Sequence, residues 1–224
     1  MANIINAWEV ILNSPAGKDY PQRPVCDAID REETDFFYSC LGKTFYEYLK
    51  THLKTYDPET TFEFDPSVTY STGAVVIRHG CLFKSNINTN TTDPANDKIN
   101  AWDVLPKFDD DCANQIWVSF LRQILAFRIY MSTLNFTTQR SGAGGLVVMT
   151  GDSSGMRAAT KAEISDHKAT LLHQIDMATK NMHRWLVEKK DDTTCTLPIA
   201  DALSCDFWCR KTVSKQRRRW AFKQ

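Results

Sequence analysis

The chain has 224 residues, 42% hydrophobic and 24% charged, which is enough to bury a core and too apolar for a disordered segment. The longest run free of Asp, Glu, Lys and Arg is 12 residues, Pro66 to Ile77, well short of the ~20 apolar residues a membrane-spanning helix needs. The formal charge of zero conceals a split: residues 210–224 carry seven cations and no acid, while residues 1–209 hold 20 basic against 27 acidic side chains, a charge of −7.

No basic start precedes an apolar run at the N-terminus, which argues against a signal peptide. Seven scattered cysteines, an odd number, point to the reduced thiols of a cytoplasm rather than to a disulfide framework. Ile4, Ile5, Trp8, Ile11 and Leu12 fall on one face of a first helix, ended by Asn13-Ser14-Pro15-Ala16-Gly17. A second helix follows Pro24, with Ile29, Phe36, Phe37, Cys40 and Leu41 on its apolar stripe and Asp27, Asp30, Arg31 and Glu32 opposite. Gly42 is its expected stop, where positive φ is needed. A third helix spans Lys43 to Lys54, with Phe45, Leu49 and Leu53 spaced by four.

The texture changes at Asp57. Four prolines, Gly73, Gly80 and many Thr and Asn surround the strand-like runs Ala74–Ile77 and Cys81–Phe83, with Arg78-His79-Gly80 as a tight turn. Residues 57–108 are therefore expected to form a small antiparallel β domain inserted between helices. A central helix follows from Asp111 to Leu134. Ile116, Trp117, Phe120, Leu121, Ile124, Leu125, Phe127 and Met131 cover most of its circumference, as on a helix buried by its own subunit and by a neighbour. Asp109, Asp110 and Asp111 suit its N-terminal end. Ser141 to Gly151 reads as a glycine-rich loop running into a short β segment. Thr160-Lys161-Ala162-Glu163 is a capping box, and the helix behind it, carrying Ile164, Leu171, Leu172, Ile175, Met182, Trp185 and Leu186, reaches about Lys190, roughly 45 Å.

Chemistry-bearing patterns are weak. The glycines at 142–145 are followed by Leu146 and Val147, where a phosphate-binding loop needs Lys and Ser/Thr, so a structural loop is expected. Cys205 and Cys209, with Cys195 and His183, have one pair at zinc spacing but no second pair. No nucleophile signature surrounds any cysteine, and no enzyme activity, cofactor or metal is expected. The basic end, Arg210, Lys211, Lys215, Arg217, Arg218 and Arg219, is interleaved with Phe207, Trp208 and Trp220. Arginine and aromatics are the residues that dominate interfaces, so an arm docking on a protein is as reasonable as one touching nucleic acid.

The order of parts carries a resemblance. An acidic helix ending Cys40-Leu41-Gly42, the helix with Phe45-Tyr46-Glu47-Tyr48-Leu49, a long central helix, a loop with Gly145-Leu146-Val147-Val148 and a capped last helix resemble the head–tail connector (adaptor) proteins of tailed bacteriophages, and more narrowly the ring proteins of crAss-like phages. The resemblance covers roughly residues 25–56 and 109–190. It implies a structural virion protein, assembled in the host cytoplasm, that forms a ring of twelve copies between the portal and the tail. Its partners would be itself, the portal protein and other tail ring proteins, with phage DNA passing through the channel and no membrane. It also implies that residues 196–224 form a docking arm, with Phe207, Trp208 and Trp220 as anchors. Trp117, Phe120, Phe127, Leu146 and Val148 would pack subunits together. Tyr70-Ser71-Thr72-Gly73, Val76, Gly80, Phe83, Pro94 and Trp102 resemble the core spacing of small chitin-binding-type modules. The stretch Lys84–Asn90 lacks the sugar-stacking aromatic pair, so this implies a scaffold used for protein packing.

The expected fold is α+β, mainly α: an elongated helical bundle with the inserted β domain and an extended C-terminal arm. The expected divisions are 1–56, 57–108, 109–195 and 196–224. The competing class is a carbohydrate- or nucleic-acid-binding accessory module.

Overall fold

The computed structural model describes residues 3–16, 20–54, 61–79, 81–97, 99–139, 147–149, 156–158 and 160–205. The architecture is α+β and mainly helical. Helices α1 (Ala7–Leu12), α2 (Gln22–Cys40) and α3 (Lys43–Thr51) precede a sheet of β1 (Phe62–Glu63), β2 (Val75–Arg78), β3 (Cys81–Ser85) and β4 (Trp102–Val104). A continuous helix then runs as α4 (Asp111–Ile116), a π turn (Trp117–Leu121) and α5 (Arg122–Gln139). The hairpin β5 (Val147–Met149) and β6 (Met156–Ala158), the long α6 (Lys161–Lys189) and the short α7 (Ile199–Ser204) complete the described chain.

The first helix is shorter than its apolar spacing predicts. Asn6 is extended (φ −111°, ψ 168°) and forms a capping box with Glu9, so Ile4 and Ile5 precede the helix instead of lying on its face. Both are still buried, whereas Leu12 is 48% exposed. Helix α2 starts before Pro24, which sits in the first turn, where a missing N–H costs nothing. Gly42 does end it: with φ 84°, its N–H reaches back to the Phe37 carbonyl at 2.8 Å.

Helix α5 packs against α1, α2 and α6. Ile124, Leu125, Ala126, Ile129, Tyr130 and Leu134 are almost fully covered by this single chain. These six need no neighbour to cover them, while Phe120, Phe127 and Met131 of the expected apolar set are only partly buried. Arg128 on α5 is nearly buried, 2.8 Å from Asp35 and 3.6 Å from Glu32 of α2, with its guanidinium over Phe36.

The sheet has order β1-β2-β3-β4 and is mixed, not purely antiparallel: Phe62 and Glu63 pair in parallel with Val76 and Ile77. The loop between them turns at Asp65, which accepts the Ser67 N–H, and at Gly73 (φ 89°), returning the chain in the same direction. Phe64, Val76, Ala101 and Trp102 form the sheet's own core, with Tyr70 and Phe83 against it. The Arg78 guanidinium clamps Asp93 with two hydrogen bonds of 3.0 and 2.8 Å. The insert leaves and rejoins the helices at one place. Leu53 and Phe108 pair as a bridge, flanked by Lys54 N–H to the Lys107 carbonyl and Asp109 N–H to the His52 carbonyl, both 3.0 Å.

Candidate functional site

The segment leading to the basic C-terminus is held by the body more tightly than its sequence indicates. Asp110 caps α4 by accepting the Ala113 N–H. Its other carboxylate oxygen accepts from the Thr196 hydroxyl and from the Tyr48 hydroxyl at 3.3 Å. Burial, opposed by the Thr196 contact and reinforced by Asp110, pushes the Tyr48 phenol above its ordinary value. Asp109 lies 2.6 Å from the His52 ring. Of the three consecutive aspartates, Asp110 caps the helix and Asp111 lies in its first turn, as expected, while Asp109 pairs with His52; Asp110 also ties the 190s segment to α3.

A disulfide joins Cys112 to Cys195, with the two Cα atoms 5.5 Å apart. It corrects the expectation of reduced thiols throughout and removes Cys195 from the zinc reading. Two cysteines 83 residues apart carry no sequence signal of pairing; only the folding of α4 against the 190s segment brings them together. Among the described residues no group of three or more His, Cys, Asp or Glu is placed to hold a metal ion.

Leu197, Ile199 and Ala202 are buried in the main core, and α7 packs on α3 and α6. An arm beginning at residue 196 is therefore corrected: residues 196–204 belong to the body. The arm residues Phe207, Trp208, Arg210, Lys211, Lys215, Arg217, Arg218, Arg219 and Trp220 lie outside the described residues, as do Cys209 and the glycine loop at 142–145.

The proposed packing residues divide. Trp117 is 2% exposed, turned into its own core beside Phe108 with Lys107 4.4 Å from its ring centre, so it is not free for a neighbour. Phe120 and Phe127 are half-buried on the core's edge, Phe120 against Trp185. Leu146 lies outside the described residues, and of Val148 only its place in β5 is described. A large apolar side chain of this helix that does project is Val118, 60% exposed, within the π turn.

The chain matches no protein-family model, no curated protein and no solved structure.

Against the sheet, Phe64 and Tyr70 stack on one another and Trp102 meets both edge-on, with ring centres 5.5–6.1 Å apart. Phe64 and Trp102 are buried in the sheet's own core, and Tyr70 is partly buried against it. Sequence reasoning also missed Glu33, a fully buried carboxylate on α2. It accepts the N–H groups of Ile4 and Ile5, each at 2.9 Å, and the Tyr46 hydroxyl at 2.7 Å. Burial and this carboxylate drive the Tyr46 phenol far above its ordinary value. The signal was available: Glu33 lies four residues after Ile29 and three before Phe36, on the apolar stripe itself.

Proposed function

We propose that the chain is a structural subunit of a phage head–tail connector ring, docking on the portal through its basic C-terminal segment. The reading rests on one observation above the rest, the order of elements: acidic α2, α3, a long central helix, a β hairpin and a capped α6 of 29 residues. That is the order in which the connector resemblance was drawn. The anchoring of residues 195–204 by the disulfide, Asp110 and the core supports it further, since a docking segment transmits force only from a fixed root. A ring also needs two different patches per subunit. Exposed apolar side chains on separate helices, Tyr38 on α2 and Met177 and Val187 on α6, are candidates.

The test is to mix the purified chain with candidate portal rings and image the particles by negative-stain microscopy. A second ring stacked on the portal with its symmetry is expected, and its loss on deletion of residues 206–224. A chain that adds no density to any portal refutes the reading.

A further inference from the structure

Where the sheet meets the helices, four separate stretches enclose a cavity of about 720 Å³. They are the residues around the start of α1, those just after α3, the β2–β3 hairpin with the end of β4 and the segment after it, and α4 with the π turn. The volume falls within the ~300–1,000 Å³ usual for small-molecule sites. Its walls are mainly apolar: Ile4, Leu53, Leu82, Val104, Trp117 and Val118. Val104 and Val118, 67% and 60% exposed, stand at the opening with nothing of the described chain over them.

The charged lining is unbalanced. Its one carboxylate, Glu9, is 3% exposed and already spent on Lys107 and on the Asn6 backbone and side chain. Lys54 and Arg122 also line the cavity, and neither makes an ion pair or side-chain hydrogen bond among the described residues. Two cations without an acidic partner among the described residues therefore line an apolar hollow. Arg122 is placed there by the π turn, whose extra residue sends the Arg122 N–H back to the Trp117 carbonyl. Such turns concentrate at functional sites. The remaining ionisable group, the Cys81 thiol, is pushed up by burial and stays neutral.

We propose that this cavity is a binding site for an amphipathic carboxylate, its acyl or aromatic body against Leu82, Val104 and Val118 and its carboxylate on Arg122 and Lys54. Enclosure by four stretches favours a small ligand over a flat protein contact. The two cations set the sign of its charge. The site is independent of the ring reading and of the basic C-terminal segment.

The test uses the full chain with dodecanoate as probe, followed by calorimetry, and with neutral dodecanol as its control. Saturable one-to-one binding of dodecanoate is expected. Arg122→Gln should weaken it about tenfold or more, the loss expected for one charge-assisted hydrogen bond. Val118→Asp, which places a carboxylate at the opening beside Arg122, should abolish it. Lys43→Gln, remote on α3, should leave it unchanged. Arg122 and Val118 are both solvent-accessible, and unchanged melting temperatures establish that these variants fold. Absence of saturable binding, equal binding of dodecanol, or an affinity unmoved by Arg122→Gln overturns the proposal.

Discussion

Replacing Glu33 by alanine should cost more stability than any other polar substitution in this chain. Its carboxylate is fully buried and receives three donors: two backbone N–H groups that start the chain's packing and one phenol. Hydrogen bonds to a charged group contribute roughly 1.5–3 kcal/mol each, and a buried donor left without a partner costs about 1–3 kcal/mol. Water entering the vacated volume recovers part of this, so the net loss is about 4 kcal/mol. With a urea dependence of about 2 kcal/mol per molar, the unfolding midpoint should fall by about 2 M, read from tryptophan fluorescence. Glu33→Gln keeps one oxygen but sets an amide N–H against a backbone N–H, and should lose about half as much. Tyr46→Phe removes a single donor and should lose about 2 kcal/mol. Combined with Glu33→Gln, it should lose less than the sum of the two, because both act on one cluster. A midpoint shift under 0.5 M for Glu33→Ala, roughly 1 kcal/mol, would refute the assignment of Glu33 as the anchor of the N-terminal segment.

Three further outcomes follow from the geometry. Alkylation of the unfolded, unreduced protein should leave Cys112 and Cys195 unlabelled; the double serine variant should lose about 4.5 kcal/mol, the loop-entropy value for a bridge spanning 83 residues, and a change smaller than about 1 kcal/mol would argue against the bridge. The Arg78 hydrogen bonds hold the Asp93 carboxyl below its ordinary value, so the folded form binds fewer protons than the unfolded one. Its stabilisation is therefore complete above about pH 4 and lost as the pH falls below that, a slope that Asp93→Asn should flatten in acid melts monitored between pH 5 and 2. Deleting residues 206–224 should leave the melting temperature of the body unchanged. Deleting from 196 strips Leu197 and Ile199 from the core, about 4 kcal/mol of burial, and circular dichroism should then show a marked drop in melting temperature.

Patterns that depend on nearest neighbours were legible. The capping box at Thr160 and Glu163, the positive φ at Gly42 and the apolar spacing of α2 and α6 are local, and each appears where the sequence places it. The class, helical with a small inserted sheet, follows from the change of texture at Asp57. Features that need two distant segments were not legible. Cys112 and Cys195 meet only after α4 and the 190s segment have packed. The parallel pairing of β1 depends on a loop whose path no period records. The π turn hides in a run apolar on every side, where one extra residue leaves the hydrophobic pattern intact, and Val118 within it is exposed. Thr196 to Ser204 looked like the start of a tail because Pro198 and few large side chains give it no period. Its burial comes from α3 and α6.

The paired exit and entry of the sheet carry a consequence for how this chain is built. Leu53 and Phe108 stand opposite each other at ladder spacing, about 5 Å between Cα atoms. To the helices, everything between Lys54 and Lys107 is a detour that begins and ends at the same doorstep. A two-residue turn closes the same gap, and so does any other module whose ends lie side by side. The helical frame and the sheet are thus joined by two adjacent strands of backbone, so the frame's own path does not depend on what the insert contains.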